Sequence, residues 1–294
     1  MGELYEKMYS FDSLYEAYHL ARLGKSTKGE AIRFGLNLAE NLWTLHDELA
    51  DRSYRPGAYY HFTIYEPKLR EVYALRFPDR VVQHSICDNA LRPWLDPRLI
   101  YDCAACRVGK GTHFAMDRLS GFLRDFYKHH GTQGFVLKCD IRKYFDNIDH
   151  DILKQKLKKF PDKEILALMF KFLDAYHGDT GKGIPLGNQS SQWFALYYLD
   201  GVDRLVKEKL RIKYYTRYMD DFLLIHEDRA YLQHCLTEIK KVCDELKLEL
   251  NEKTHIFPLR QGVDYLGFHF FLTETGKAVR RLRASNKRRF KRKL

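Results

Sequence analysis

Asp220 and Asp221, adjacent carboxylates between the apolar runs Tyr214-Tyr215 and Phe222-Leu-Leu-Ile225, are the residues best suited to chemistry. The flanking runs predict two strands of a core sheet, with Tyr218-Met-Asp-Asp221 at or beside a tight hairpin turn. Aspartate is common in turns because its short side chain satisfies turn backbone. Here the apolar setting argues for more. Paired anions beside a core sheet repel each other and lose hydration unless a cation compensates, and a hard divalent ion with oxygen ligands is the natural compensator. Phe135-Val-Leu-Lys-Cys-Asp140 delivers a third carboxylate at the end of another short apolar strand. If the two strand units pair, Asp140, Asp220 and Asp221 converge. Two divalent ions held roughly 3.5–4 Å apart could then activate a hydroxyl and stabilise a leaving pyrophosphate, as nucleotidyl transfer requires. The sequence offers no Walker loop, Rossmann fingerprint, Gly-x-Ser-x-Gly or zincin helix in competition.

Positioning these groups requires a sheet. Phe135–Asp140, Ile212–Tyr218, Asp221–Ile225 and segments near Lys247–Phe257 and Asp264–Leu272 read as strands, with helices predicted over Asp149–Phe160, Asp162–Tyr176, Asn188–Leu210 and Ala230–Leu246. A strand-helix-strand-strand-helix-strand order of this kind suggests an α+β split βαβ sheet. Upstream, Phe11, Leu14, Tyr15 and Tyr18 share one helical face, and a second helix is expected through Ile32, Leu36, Leu38 and Leu42. Tyr59–Tyr65 and Glu71–Phe77 read as two strands. Pro78-Asp79 opens a helix expected to end before Pro93, and Thr112 is placed to cap another reaching about Tyr127.

The 294-residue chain is 45% hydrophobic, which suits a globular protein of one or two subdomains and not a disordered one. No apolar run is long enough to cross a bilayer, and the first twenty residues lack a signal peptide's apolar stretch, so a cytoplasmic location is expected. Six cysteines are read as reduced and mostly buried. Cys103-Ala-Ala-Cys106 has no second pair to complete a zinc site, His113 being the nearest further candidate. The formal charge of +11 is concentrated: residues 277–294 hold ten Lys and Arg and no acid, leaving +1 for the rest. Such a block reads as a phosphate-binding arm or helix.

Tyr218-Met-Asp-Asp221 together with Asp140-Ile-Arg-Lys-Tyr-Phe145, eighty residues before Asp220, resembles the catalytic motifs of reverse transcriptases. Tyr65-Glu-Pro-Lys-Leu-Arg70, Phe77-Pro-Asp-Arg-Val-Val-Gln83 and Arg107-Val-Gly-Lys-Gly-Thr-His113 are similar to fingers blocks of bacterial enzymes related to group II intron proteins. The resemblance implies a right-hand polymerase: N-terminal helices and fingers over 1–134, a palm over 135–272 interleaved with fingers near 160–190, and a basic tail over 273–294 that begins a short or incomplete thumb. It implies Asp140 and Asp220 as principal ligands of two Mg²⁺ ions, replaceable by Mn²⁺, with Asp221 beside them and the Ile141 carbonyl as an auxiliary oxygen. Phe145 falls on the steric-gate position that excludes a 2′-hydroxyl. Lys68 and Arg70 would clamp the triphosphate, with Lys253, Leu186, Gly187 and Gln192 also around the nucleotide. Tyr265-Leu266-Gly267-Phe268 is similar to the primer grip, and Arg280, Arg281, Arg283, Lys287, Arg288 and Arg289 would track nucleic acid. The implied partners are template RNA, primer and deoxynucleoside triphosphates.

Gly183-Ile-Pro-Leu-Gly-Asn-Gln-Ser-Ser-Gln192 departs from the Pro-Gln-Gly of group II intron and viral enzymes, with Leu186 at the glutamine and Gln192 at a later proline. This pattern is similar to the enzymes of diversity-generating retroelements, which copy a template repeat with errors at adenines and act with a small basic accessory variability protein. Two alternatives stand beside it. One is a stand-alone retron or abortive-infection enzyme of phage defence; the other is a non-catalytic nucleic-acid-binding protein on a polymerase fold.

Overall fold

The computed structural model describes residues 2–65, 69–176 and 181–292. In chain order come helices α1 (Glu3–Tyr9), α2 (Phe11–Arg22), α3 (Gly29–Leu36) and α4 (Leu38–Ala50), strands β1 (Tyr60–Ile64) and β2 (Arg70–Ala74), and helices α5 (Phe77–Ile86), α6 (Arg92–Leu95) and α7 (Thr112–His130). Strand β3 (Phe135–Cys139) is followed by α8 (Tyr144–Asn147), α9 (His150–Leu157), α10 (Lys163–Asp174), α11 (Gln189–Tyr198) and α12 (Asp200–Arg204). The remaining elements are β4 (Tyr214–Tyr218), β5 (Asp221–His226), α13 (Arg229–Glu245), β6 (His255–Pro258), β7 (Val263–Tyr265), β8 (Phe268–Leu272), β9 (Ala278–Leu282) and α14 (Ala284–Lys291). They fall into two compact units, Met1–Arg98 with Phe145–Tyr198, and Leu99–Tyr144 with Leu199–Leu294.

In the first unit, β1 and β2 form an antiparallel hairpin in which Tyr60 pairs with Ala74 and Ile64 with Arg70. Helix α2 packs on α5 through a core that includes Leu14, Tyr18, Val81, Val82 and Ile86. Asp149 and Asp162 begin α9 and α10 by accepting from backbone N–H groups of the first turn, at Ile152 for one and at Glu164 and Ile165 for the other.

Three helices depart from the pattern that the sequence predicts. The helix expected through Ile32 to Leu42 is two helices, broken at Asn37, whose φ of −118° and ψ of 48° are not helical. Ile32 and Leu36 consequently face solvent, at 46% and 76% exposure, whereas Leu42 is buried. The helix opened by Pro78 does not stop before Pro93. Residues 87–91 form a π-turn in which Arg92 donates five residues back to Cys87. Pro93 then stands at the start of α6, where its missing N–H costs little.

The second unit carries the sheet. Its four strands run in the order β4-β5-β3-β6, every neighbouring pair antiparallel, which is the split βαβ arrangement expected. Helix α13 packs against β3, β5 and β6 with Leu232, Cys235 and Ile239 buried. A further core joins Leu119, Phe122, Leu123 and Phe126 of α7 to Val136, Leu223 and Ile225 of the sheet, and to Val263, Tyr265 and Phe270. Strands β7, β8 and β9 make a separate three-stranded antiparallel sheet. Thr112 is the first residue of α7 and not its cap; Gly111, at a φ of 107°, takes the cap position. The helix expected over Asn188–Leu210 is likewise interrupted. It breaks at Leu199 into α11 and α12, followed by a π-turn over residues 205–209.

Candidate active site

Tyr218 pairs with Asp221 across β4 and β5, leaving Met219 and Asp220 as the two central residues of the hairpin. Met219 has a φ of +58°, whereas Asp220 is absent from the left-handed residues. A two-residue loop with only its first central residue left-handed ordinarily carries glycine there. The strand ends thus deliver two consecutive carboxylates from one tightly bent turn.

Asp140 arrives from the neighbouring strand. The register of β3 with β5 ends at Cys139 opposite Phe222, and one further step brings Asp140 alongside Asp221. Its backbone is fixed by the segment before β6: Asn251 N–H donates to the Asp140 carbonyl at 2.7 Å, and Thr254 Oγ1 accepts from the Asp140 N–H at 3.4 Å. Ile141 makes an antiparallel bridge with Leu250. The three aspartates therefore lie at the same end of the sheet.

Electrostatics follow from this placement. Burial raises the Asp221 carboxyl from its ordinary 3.8 to about 6; Lys138 opposes the shift, while Asp140 and Asp220 add to it. Lys138 Nζ lies 3.4 Å from Asp221 Oδ2 and donates to the Asp264 carbonyl at 2.6 Å. Asp221 Oδ1 is buried without a hydrogen-bond partner. Among the described residues, no three or more His, Cys, Asp or Glu side chains are grouped so as to hold a metal ion. The donor set still fits a hard cation, because an orphaned buried carboxylate oxygen beside two further carboxylates calls for positive charge.

Residues 67–270 match the family described as reverse transcriptase (RNA-dependent DNA polymerase). The chain belongs to the reverse transcriptase family. Similar solved structures include telomerase from Candida albicans in complex with a fragment of telomeric RNA, at 13% identity and a TM-score of 0.57, covering 75% of this chain and 45% of that one. Apo telomerase from Candida tropicalis gives 13% identity and 0.57 over 79% and 49%, and a form truncated from its C-terminal domain gives 12% and 0.56 over 79% and 55%. This chain thus spans about half the length of those chains, and at such identities the likeness is one of fold. None of the curated proteins matches the sequence. Reverse transcriptases are RNA-directed DNA polymerases and generally use divalent metals.

The other residues expected at a reverse transcriptase site divide between the units. With the aspartates in the second unit are Lys253, exposed in the segment that holds Asp140, and Tyr265-Leu266-Gly267-Phe268. That stretch is a second two-residue hairpin, with Leu266 and Gly267 both at positive φ and Tyr265 buried. Arg70, exposed at the start of β2, belongs to the first unit, as do half-buried Phe145, Leu186 and Gln192, and Gly187 at a φ of +99°. Lys68 lies outside the described residues. In the basic tail, Arg280 pairs with Asp117, Arg283 pairs with Asp264, and Arg281 lies over the Phe271 ring, whereas α14 presents Lys287, Arg288 and Arg289 exposed. Asn286 of α14 donates to the Gly267 carbonyl, tying this helix to the second hairpin. Sequence reasoning missed Lys138 and the buried Asp203–Arg217 pair. An arginine inside the apolar run of β4 was the available signal for the last.

Proposed function

We propose that the chain extends a primer on an RNA template with deoxynucleotides, and that it is the error-prone polymerase of a diversity-generating retroelement. The carrying observation is the junction of β3 with the β4–β5 hairpin, where Asp140, Asp220 and Asp221 meet within the segment matching the family. In this reading Asp140 and Asp220 are the principal ligands of two Mg²⁺ ions, replaceable by Mn²⁺, with Asp221 and the Ile141 carbonyl assisting. When bound, the ions supply activation of the primer hydroxyl and charge neutralisation at the leaving pyrophosphate. Lys138 compensates the charge of Asp221 from the adjacent strand. Phe145 excludes ribonucleotides, Lys68 and Arg70 clamp the triphosphate as a point charge and a planar fork, and Lys253 adds charge. Tyr265–Phe268 hold the primer end, and the exposed cations of α14 follow the duplex backbone.

The retroelement reading rests on Gly183–Gln192. A glutamine amide at position 186 would hold sugar and base in register; Leu186 can only pack there, so geometry is policed less tightly. Gly187 and Gln192 complete that departure. A small basic accessory protein and a structured RNA are the partners this reading implies. The test is primer extension on an RNA template with Mg²⁺ or Mn²⁺, comparing the native chain with Asp220→Ala/Asp221→Ala and sequencing the products. Extension should vanish in the variant, and errors should concentrate opposite adenine. An error spectrum unchanged by Leu186→Gln would sink the proposed origin of low fidelity, and extension that survives loss of both aspartates would sink the polymerase site.

A further inference from the structure

Arg217 is the largest fully buried side chain among the described residues, and its partner Asp203 is equally inaccessible. Arg217 Nε donates to Asp203 Oδ1 at 2.8 Å and Nη2 to Asp203 Oδ2 at 2.5 Å, while Tyr215 Oη donates to Asp203 Oδ1 at 2.7 Å. The remaining guanidinium nitrogen, Nη1, donates to the carbonyl of Met219 at 2.9 Å. The backbone of Arg217 is also held, its N–H donating to the Asp102 carbonyl and its carbonyl accepting from Ala104.

Stability alone does not explain such a pair, because replacing a buried ion pair by apolar groups of similar volume is often neutral or favourable. The turn does call for a restraint. Met219 takes the left-handed conformation that glycine adopts freely, and a strained residue persists only where its surroundings over-determine it. We propose that the Asp203–Arg217 pair is the device that positions the Met219-Asp220 turn, so that both residues set the placement of the metal-binding carboxylates without touching substrate. Asp203 aims the guanidinium, and the guanidinium holds the turn's carbonyl. The catalytic part of this inference rests on the polymerase reading; the conformational part does not.

The variant that separates the roles is Arg217→Lys, which keeps a positive charge beside Asp203 but lacks the planar fork that reaches Asp203 and Met219 together. It is compared in the native and Met219→Gly backgrounds of the full chain, by amide hydrogen exchange without metal and by calorimetric titration with Mn²⁺. In the native background, exchange at residues 219–221 should accelerate roughly 10-fold and the Mn²⁺ midpoint should rise by a similar factor, with Val136 and Leu137 unchanged. With Met219→Gly, the effect of Arg217→Lys should shrink to about twofold or less, because glycine supplies the turn conformation itself. Asp203→Leu/Arg217→Met, which removes the buried charges altogether, should give the same turn-localised acceleration and covers the case of a poorly folded lysine variant. Equal effects in both backgrounds overturn the proposal. So does acceleration spread over β3 to β6, no acceleration at the turn, or global unfolding of both the lysine and the apolar variants, each of which makes the pair merely structural or idle. None of these readouts requires polymerisation, so a chain that fails to extend primers would sink the functional reading and leave this one decided separately.

Discussion

Asp221→Asn probes what the buried carboxylate does to the protein before any metal arrives. Burial has raised this carboxyl from 3.8 to about 6, against the pull of Lys138. A carboxyl with a raised folded-state value holds its proton better when folded. Its stability contribution is therefore fully present below 3.8 and is lost as pH rises through about 6. A displacement of about two decades corresponds to roughly 3 kcal/mol. Because 27% of the side chain remains accessible, we take about 1–3 kcal/mol as the penalty at pH 8. Asparagine can still accept from Lys138 and carries no charge to desolvate. The variant should therefore melt roughly 2–10 °C higher than the native chain at pH 8 in a chelator. The gap should narrow as pH falls from about 6 towards 4. Added Mn²⁺ should also narrow it at pH 8, since an ion that binds only the folded native site stabilises that chain selectively. Differential scanning fluorimetry across pH, with and without Mn²⁺, reads all three trends. A gap that is absent at pH 8, or that does not change with pH, would refute the argument that desolvation of Asp221 destabilises the metal-free fold.

Other perturbations test other levels. Asp140→Asn and Asp220→Asn should each lower primer-extension kcat by at least roughly 10²–10³-fold while leaving the circular dichroism spectrum unchanged, as expected for groups that act on transition-state charge. Phe145→Ala should raise ribonucleotide use relative to deoxynucleotide use by roughly 10–100-fold in kcat/KM, measured by single-nucleotide incorporation. Replacing Lys287, Arg288 and Arg289 together by alanine should weaken duplex binding and reduce the salt dependence of log K by about 0.9 for each phosphate that is no longer neutralised, read by fluorescence anisotropy. Leu123→Ala, deep in the core beneath the sheet, should cost about 2–5 kcal/mol in urea unfolding without changing kcat per folded molecule.

The strand ends that carry Asp140, Asp220 and Asp221 were legible because each of their signals is local. Apolar runs ending in a carboxylate mark both Phe135–Asp140 and the Tyr218–Asp221 hairpin, and Asp149 and Asp162 stand where N-caps must. What stayed hidden depends on partners distant in sequence. Nothing near Asn37 announces that the apolar stripe through Ile32 and Leu36 will face solvent. The π-turn before Pro93 and the break at Leu199 interrupt runs whose helical periodicity is continuous in the sequence. Lys138, alone within an apolar strand, reads as an ordinary half-exposed position until β5 places Asp221 beside it and β7 offers the Asp264 carbonyl.

The two cations of the sheet divide the task of holding the carboxylates, and their burial says how. Lys138 keeps 23% of its side-chain exposure and ends in a flexible stem, so its contact with Asp221 can yield at little conformational cost. Arg217 has no exposure and is held at both backbone and side chain, so it has nowhere to go. One cation compensates charge and can yield; the other fixes backbone and cannot. On the proposed reading, a site that receives metal, nucleotide and primer repeatedly needs both properties. Putting the movable charge on the carboxylate and the immovable one on the turn carbonyl leaves Asp221 adjustable while the path of the chain through Met219 and Asp220 stays constant.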